Sequence, residues 1–160
     1  MTPDLTERAA SGGLVYGRDL KVGGVYQLGS HLVSEPDLIA FASDWDPQYF
    51  HVDPQAAQSS PYGGLIASGL HTLAIYQRLM VTHVSTDWAV IAGRGLDGVR
   101  FLRPVRPGDT LTGSATISDL LEDDRNRTLV SIAADLRNAD GKSVLQLTTG
   151  AYVWTAPRQR

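Results

Sequence analysis

The sequence contains no cysteine. Disulfide bonds, thiolate metal sites and a cysteine nucleophile are therefore excluded. The chain also lacks any apolar run approaching the roughly 18 residues that a membrane-spanning helix requires. Residues 1–13 are polar and lack the apolar stretch of a secretory signal. We therefore expect a soluble protein that is located in the cytoplasm.

Neither sign of charge is in large excess. The chain has 14 Lys and Arg against 17 Asp and Glu, which gives a formal net charge of -3. This charge offers no electrostatic basis for binding nucleic acid or anionic lipid. No repeat, low-complexity block or linker divides the 160 residues, a length that fits one domain. We expect a loosely attached N-terminal lead-in over residues 1–20 and a single domain over residues 21–155.

Two short helices are marked by capping residues in the first half of the chain. Ser34, with Asp37 three residues later, resembles a capping box and predicts a helix that runs to about Asp44. Asp53 followed by Pro54 is typical of an N-cap and the first position of a short helix. We expect the first helix to bury part of its apolar surface and the second to form a brief turn.

A longer helix is predicted to be buried. Ser68 is the next plausible N-cap, and residues 69–83 are apolar on nearly every side. Helices with this pattern usually lie inside a protein rather than on its surface.

The second half of the chain shows the period-two alternation of half-buried strands. The alternating positions are Val130, Ile132, Ala134 and Leu136 in one run, and Leu145, Leu147, Thr149, Ala151 and Val153 in the next. Between the two runs, residues 138–142 contain an Asp-Gly pair that is typical of a hairpin turn. Further strands are predicted over 25–33, 93–102 and 111–121.

The predicted layout is one early strand, helices that include a buried one, and then four strands in a meander. An antiparallel sheet with one face on a central helix satisfies this pattern. We therefore predict an α+β hot-dog fold, in which an antiparallel β-sheet wraps around a central α-helix. The open sheet edges of such a fold also predict dimerisation.

The densest polar cluster of the chain covers residues 44–53, which contain three carboxylates and a histidine among aromatic residues. Pro47 disfavours helix at Asp46. We predict a loop here that aims Asp46 and His51 at one point, because sites usually lie on loops held by rigid elements. The first turn of the buried helix follows, and its free N–H groups suit a developing oxyanion.

Each of these features also has a purely structural interpretation. An Asp-x4-His spacing is common by chance, and Asp53 is better explained as a helix cap than as a catalyst. His71 is better explained as a packed, hydrogen-bonded core histidine, while His31 and His83 have no convincing partners in sequence. No His or Asp spacing of a known metal site occurs, so we expect no metal.

The same cluster resembles the signature of the MaoC-like dehydratase family, which includes the (R)-specific enoyl-CoA hydratases. That signature reads Asp-x-Asn-Pro-x-His-x-Asp and matches residues 46–53 without a gap. Asp46, His51 and Asp53 fall on its first Asp, its His and its second Asp. Gln48 replaces the Asn, and Tyr49 replaces the Pro. A rival alignment starts at Asp44 and needs an insertion before His51.

Further positions extend the resemblance over roughly residues 20–155. Gly69 falls on the glycine whose N–H contributes to the family's oxyanion hole, and Ser68 stands where many hydratases have histidine. The resemblance implies a hydratase or dehydratase of fatty acid metabolism that acts on acyl-CoA or acyl carrier protein thioesters. It implies no metal or redox cofactor, with coenzyme A present only as part of the substrate, and a homodimer or higher homo-oligomer.

The residue roles implied by the resemblance fall into two groups. The catalytic residues would be Asp46, His51 and Gly69. The substrate-binding residues would be Gln48, Gly64, Ser68, Arg103 and Arg106, with the two arginines able either to meet phosphates or to remain solvated loop charges. Gln48 and Asp53 would also orient the loop that carries the catalytic pair.

Two other functions remain open at this point. A hot-dog acyl-CoA thioesterase usually needs a carboxylate on or near the central helix, and residues 69–83 contain no Asp or Glu. A non-catalytic acyl-binding subunit is the other alternative, and it is favoured by the replacement of Asn-Pro with Gln48-Tyr49.

Overall fold

The computed structural model describes residues 13–158. Its four α-helices are α1 (Glu35–Trp45), α2 (Tyr49–Val52), α3 (Pro54–Ala57) and α4 (Gly69–His83). Its five strands are β1 (Val25–Leu32), β2 (Val90–Phe101), β3 (Thr110–Glu122), β4 (Arg127–Arg137) and β5 (Ser143–Trp154). A short 3-10 helix, Gly17–Asp19, precedes β1. Among the described residues, no helix combines the length and apolarity that crossing a membrane requires.

The helix starts follow the predicted capping residues. The Ser34 hydroxyl accepts the Asp37 amide at 3.2 Å at the start of α1. Asp53 accepts the amides of the next helix through Oδ1, at 3.0 Å and 2.9 Å. Ser68 accepts the Leu70 amide at 3.2 Å at the start of α4. These bonds satisfy amides that have no partner inside their own helices, which explains why the cap signals located the helices.

The five strands form one antiparallel sheet in the order β1-β3-β4-β5-β2. Strands β3, β4 and β5 are consecutive neighbours, whereas β2 pairs with β5 at one edge and β1 pairs with β3 at the other. The predicted four-strand meander is therefore wrong for β2. The connection after β2 crosses to β3 on the far side of the sheet, and along it Val105 accepts the Ala67 amide and Asp109 accepts the Val33 amide, each at 2.8 Å.

The sheet packs one face on helix α4. The residues of α4 that are buried are His71, Thr72, Ile75, Tyr76, Leu79 and Met80. On β4 the buried positions alternate as predicted, and they include Val130, Ile132, Ala134 and Leu136. Both sets contribute to one apolar core. The α+β hot-dog fold, with an antiparallel sheet around a central helix, is therefore confirmed.

The described part of the predicted lead-in, residues 13–20, is joined to the domain. Val15 forms a parallel bridge with Trp88, and the Arg18 amide donates to the Thr155 carbonyl at 3.1 Å. The side chain of Leu20 is buried in the core. These contacts tie residues 15–20 to the ends of β2 and β5, while residues 1–12 lie outside the described range.

Candidate active site

The carboxylate of Asp46 is turned toward the beginning of α4. Asp46 ends helix α1, where its amide still donates to the Ala42 carbonyl at 2.8 Å. Its backbone then leaves the helical region, as expected for a residue before proline. The Ser68 hydroxyl donates to Asp46 Oδ2 at 2.7 Å, and the Gln48 amide donates to Oδ1 at 3.0 Å. Two side chains thus fix both carboxylate oxygens.

These bonds favour the charged form of Asp46. The Ser68 hydroxyl is the largest cause that holds the pKa of this carboxyl below its ordinary value of 3.8. The Gln48 amide and the nearby His51 lower the pKa in the same direction, while partial burial opposes them. Asp46 is therefore ionised at neutral pH, and it can accept a hydrogen bond from water or stabilise a neighbouring cation.

The imidazole of His51 lies beside this carboxylate. His51 is 4% exposed and lies on the one-turn helix α2. Its Nδ1 is 2.7 Å from the Ile66 carbonyl oxygen, which can only accept, so Nδ1 carries a proton and donates it. In the neutral ring, Nε2 is therefore the nitrogen free to take a proton. It lies 3.4 Å from Asp46 Oδ2.

The short helix that carries His51 differs from the sequence-based expectation. Residues 44–53 were predicted as a loop, but Tyr49–Val52 forms one turn of α-helix. The Gln48 carbonyl accepts the His51 amide at 2.8 Å, and the Tyr49 carbonyl accepts the Asp53 amide at 3.0 Å. A single turn this short has no apolar periodicity, which is why the sequence pattern did not reveal it.

The amino end of α4 supplies the third part of the site. Gly69 is the first residue of α4, so its amide has no acceptor within the helix and lies at the positive end of the helix dipole. The ring of Phe101 covers the Cα of Gly69. A methyl group added at Gly69 would lie 2.9 Å from two carbons of that ring. Close approach of Phe101 is therefore the reason that glycine fits this position.

Asp46, His51, Ser68 and Gly69 face one cavity of about 570 Å³. The other residues that line it include Gln48, Phe50, Thr72, Phe101, Arg103 and Val144. The cavity therefore combines a carboxylate, an imidazole with a free nitrogen and a helix amino end. These groups can move a proton and hold a negatively charged oxygen.

The remaining predicted substrate-binding residues divide between the cavity and its surroundings. Gln48 and Arg103 line the cavity, and the Arg103 guanidinium also donates to the Ser143 carbonyl at 2.7 Å. Arg106 and Gly64 lie outside the described lining. The Arg106 guanidinium donates to the carbonyl of Tyr62, a lining residue, at 2.6 Å.

The other carboxylates of the cluster have different positions. Asp53 is exposed, and its side chain caps helix α3. Asp44 is also exposed and is not among the described residues that line the cavity. The geometry thus places Asp46, rather than Asp44, beside His51.

Several lining residues had no functional signal in the sequence. Phe50 lies inside the polar cluster and could have been included from its position next to His51. Phe101 and Leu102 end the strand predicted over residues 93–102, but nothing in the local sequence indicates which element their side chains face. Thr72 and Val144 reach the cavity only because the sheet packs on α4, a long-range relationship that no local pattern records.

His71 lies near the site without facing the cavity. It is 8% exposed, and its ring stacks on Phe41 with centroids 4.7 Å apart. Burial lowers the pKa of His71, His31 lowers it further, and Asp37 acts in the opposite direction. Its Nδ1 has no hydrogen-bond partner within residues 13–158. The packing agrees with the prediction for this histidine, but the predicted hydrogen bond is missing at Nδ1. In the same range, no group of three or more His, Asp or Glu side chains is placed to hold a metal ion.

The sequence of this chain is similar to a known protein family and to individual proteins. Residues 22–137 match the family model described as "MaoC like domain". The chain is 32% identical over 132 residues to the uncharacterised protein YdeM of Bacillus subtilis, covering 82% of this chain and 92% of YdeM. It is 32% identical over 110 residues to 3-hydroxyacyl-thioester dehydratase Z of Mycobacterium tuberculosis, covering 68% and 72% respectively.

A solved structure shows the same similarity in three dimensions. The structure of the MaoC-like dehydratase from Rhodospirillum rubrum superposes with a TM-score of 0.81 at 34% sequence identity. The superposition covers 90% of this chain and 99% of that protein. The similarity therefore extends over the whole fold.

Proposed function

Because this chain belongs to the family of proteins with a MaoC-like domain, we propose that it interconverts a 2-enoyl thioester and a 3-hydroxyacyl thioester by adding or removing water. Family membership confirms the resemblance drawn from the motif residues. The observation that carries the proposed reaction is the approach of His51 Nε2 to Asp46 Oδ2 at 3.4 Å, in the cavity that also contains Gly69.

In the proposed hydration, one water molecule lies within hydrogen-bond reach of both Asp46 and His51. His51 Nε2 takes a proton from this water as its oxygen bonds to C3 of the enoyl group. The electron pair of the C2–C3 double bond moves to give an enolate. The proton then passes from His51 to C2, so the elements of one water molecule are added. Dehydration is the reverse sequence.

Two features of the site stabilise the charges that this reaction creates. The ionised Asp46 carboxylate lies beside the imidazolium that forms when His51 takes a proton. The Gly69 amide and the dipole of α4 provide a donor for the enolate oxygen. General acid–base groups typically contribute about 10²–10⁴-fold to such a rate. One oxyanion donor contributes roughly 10²–10³-fold.

The substrate is proposed to be a thioester of coenzyme A or of an acyl carrier protein. Dehydratase Z of M. tuberculosis, a relative of this chain, is named for action on 3-hydroxyacyl thioesters. Arg103 lies on the cavity wall and is exposed, so it is the arginine we propose to contact a phosphate of the carrier. The reaction transfers only water and protons, and we propose no metal or redox cofactor for it.

The decisive experiment follows the absorbance of the conjugated thioester of crotonyl-CoA. Wild-type protein should consume this absorbance, and Asp46→Asn should lower kcat/KM by about 10²–10⁴-fold. Asp44→Asn is the matched control, because Asp44 is an exposed carboxylate two residues away that does not line the cavity. Its rate should equal that of the wild type.

Other outcomes would favour the alternative functions. Release of free thiol from saturated acyl-CoA, in an Asp46-dependent manner, would indicate a thioesterase. Tight binding of acyl-CoA with no turnover of any enoyl or 3-hydroxyacyl ester would indicate a non-catalytic acyl-binding subunit. A wild-type hydration rate no higher than that of Asp46→Asn would rule out the proposed reaction.

We further propose that two copies of the chain associate through the β2 edge. Val90, Leu96 and Phe101 on β2 are 47%, 50% and 51% exposed, although they belong to an edge strand that offers unpaired backbone groups. Sedimentation velocity should give the mass of at least a dimer. A charge on this strand, in Leu96→Lys, should shift the distribution toward the monomer, and a wild-type monomer would refute the proposal.

A further inference from the structure

The residues that line the active-site cavity differ in their exposure to solvent. His51 and Ser68 belong to the buried part of the lining. Tyr62 and Arg103 belong to the exposed part, where the cavity opens to solvent. In the proposed function the thioester oxygen lies at Gly69 and the reacting carbons lie near His51. The carrier that holds the acyl group must therefore leave the cavity past the exposed residues.

Three rings of the lining form a series from the buried part of the cavity to its opening. The ring of Phe50 lies edge-on to the imidazole of His51, with centroids 4.5 Å apart. The ring of Tyr62 is tilted against Phe50, with centroids 5.4 Å apart. His51 is 4% exposed, Phe50 is half-buried and Tyr62 is 40% exposed. All three residues line the cavity, so the series connects the proposed proton acceptor to the solvent.

The backbone that carries Tyr62 is held by hydrogen bonds on both sides. The Tyr62 amide donates to the hydroxyl of the buried Ser60 at 3.2 Å, and the Tyr62 carbonyl accepts the Arg106 guanidinium at 2.6 Å. Four residues further on, the Ile66 amide donates to the Phe50 carbonyl at 3.1 Å. Because the backbone is fixed and the ring packs on Phe50, Tyr62 loses little conformational freedom when a ligand binds.

We propose that Tyr62 binds the pantetheine arm that joins an acyl group to coenzyme A or to an acyl carrier protein, an inference that rests on the proposed function. The Tyr62 ring lies no farther from the His51 ring than the two centroid distances combined. The pantetheine arm begins at the thioester sulfur, so it occupies this stretch of the cavity wall. The phosphate groups follow only at the far end of the arm.

The chemistry of the arm suits an aromatic side chain. Pantetheine contains pairs of methylene groups and a branched dimethyl carbon, separated by two amide groups. The ring of Tyr62 offers a large, rigid apolar surface to the methylene and methyl groups. Arg103, which we propose to contact a phosphate, provides the charge that this ring lacks. The two residues would therefore recognise different parts of the same carrier.

The test uses three crotonyl thioesters that share the reacting group and differ in the carrier. S-ethyl thiocrotonate has no arm, crotonyl-pantetheine has the arm without the nucleotide, and crotonyl-CoA has both. Tyr62→Ala should raise KM for crotonyl-pantetheine and for crotonyl-CoA by about tenfold, the lower end of the effect of one methylene in a hydrophobic pocket. Its kcat should stay near that of the wild type, because the lost contact is present equally in the ground state and the transition state.

The rate with S-ethyl thiocrotonate should not change in Tyr62→Ala, because this substrate has no arm to lose. A rise in KM confined to crotonyl-CoA would place Tyr62 at the nucleotide and overturn the proposed contact. Crotonyl-acyl carrier protein, measured beside crotonyl-CoA, identifies the carrier by its higher wild-type kcat/KM. Tyr62→Ala should raise KM for that carrier, since both carriers present pantetheine.

Tyr49→Ala is the matched control for loss of an aromatic ring. Tyr49 is 47% exposed, and its ring packs on the same Phe50 ring with centroids 5.0 Å apart. Among the described residues, however, Tyr49 is not part of the cavity lining. Its KM for crotonyl-pantetheine should equal that of the wild type. Tyr62→Phe keeps the ring and should also retain a KM near the wild-type value.

Calorimetric titration with butyryl-pantetheine, a saturated ester, measures binding without turnover. The wild type and Tyr49→Ala should bind it equally, and Tyr62→Ala should bind it about tenfold more weakly. Tyr62→Gln, which also lacks the ring, replaces the alanine variant if the latter shows no wild-type thermal transition.

Equal binding by the wild type and a folded variant without the ring would overturn the role of Tyr62 alone. No binding of butyryl-pantetheine or butyryl-CoA by the wild type would overturn this inference together with the acyl-thioester site. Binding that depends on Tyr62, without hydration of any crotonyl ester, would support the arm contact and overturn only the proposed reaction.

Discussion

The hydroxyl of Ser68 donates to Asp46 Oδ2 at 2.7 Å while it accepts the amide of Leu70 at 3.2 Å. One side chain therefore holds the carboxylate in place and caps the helix that begins with Gly69. The proposed acid–base pair and the proposed oxyanion donor come from segments separated by about twenty residues, and this hydroxyl joins Asp46 directly to the start of α4. Loss of the hydroxyl should consequently change both the charge state of Asp46 and the end of α4.

Ser68→Ala should raise the pKa of Asp46 toward its ordinary value, because the hydroxyl is the largest cause that holds it down. An acidic group with a depressed pKa is charged until the pH falls through that pKa. The acid limb of the kcat/KM profile should therefore move to higher pH in Ser68→Ala. The variant should also lose about 0.5–2 kcal/mol of stability with the helix cap.

Ser68→Thr provides the comparison for this effect, because it retains a hydroxyl at the same position. Its acid limb should remain near that of the wild type. An acid limb of Ser68→Ala at or below the wild-type position would show that the hydroxyl does not control the ionisation of Asp46.

His51→Gln should remove the proton acceptor while keeping a side chain of similar size in the buried position. The Ile66 carbonyl fixes the proton on Nδ1 of His51, so Nε2 is the group that this change eliminates. We expect kcat for crotonyl-CoA hydration to fall by about 10²–10⁴-fold. His83→Gln is the matched control, because His83 is an exposed histidine at the far end of α4. Equal rates for the two variants would contradict a catalytic role for His51.

Gly69→Ala should slow the reaction because the added methyl group would lie 2.9 Å from the Phe101 ring. Either the exposed Phe101 ring swings aside or the first turn of α4 shifts, and only the second change misplaces the Gly69 amide relative to the proposed position of the substrate oxygen. We expect kcat to fall by up to roughly 10²-fold, the contribution of one oxyanion donor, with a smaller change in KM. Adding Phe101→Ala should restore part of kcat by relieving the contact. A double variant as slow as the single one would exclude this steric explanation.

Local signals in the sequence were sufficient to locate α1, α3, α4 and the hairpin of this fold, but not the single turn α2. Ser34, Asp53 and Ser68 each cap a helix through a bond to an amide two or three residues away, so short-range spacing contains the necessary information. The Asp-Gly turn between β4 and β5 is equally local, with Gly141 at a φ of 72°.

Strand order and cavity lining depend on contacts between distant residues, and the sequence did not determine them. Strand β2 pairs with β5 instead of β3, and its connection bonds to Ala67 and Val33, which are distant in sequence, so no alternation pattern predicts this order. The packing of Phe101 on Gly69 is also a contact between distant residues that no local pattern predicts. The proximity of Asp46 and His51 was predictable because the two residues are five positions apart in a family-like motif, while their catalytic roles stay a prediction.

His71 should make the stability of the protein sensitive to mild acid. Burial is the main cause that lowers the pKa of His71 from 6.5 in the folded state, so the unfolded chain binds a proton that the folded protein does not. Stability therefore falls as the pH drops below 6.5, by at most about 1.4 kcal/mol per pH unit for one group.

His71→Phe keeps an aromatic ring against Phe41 and removes both the titration and the unpartnered Nδ1. Urea unfolding at about pH 7.5 and about pH 5 should show a smaller acid-induced loss in His71→Phe than in the wild type or in His83→Gln. An identical loss in all three proteins would show that the acid sensitivity originates elsewhere.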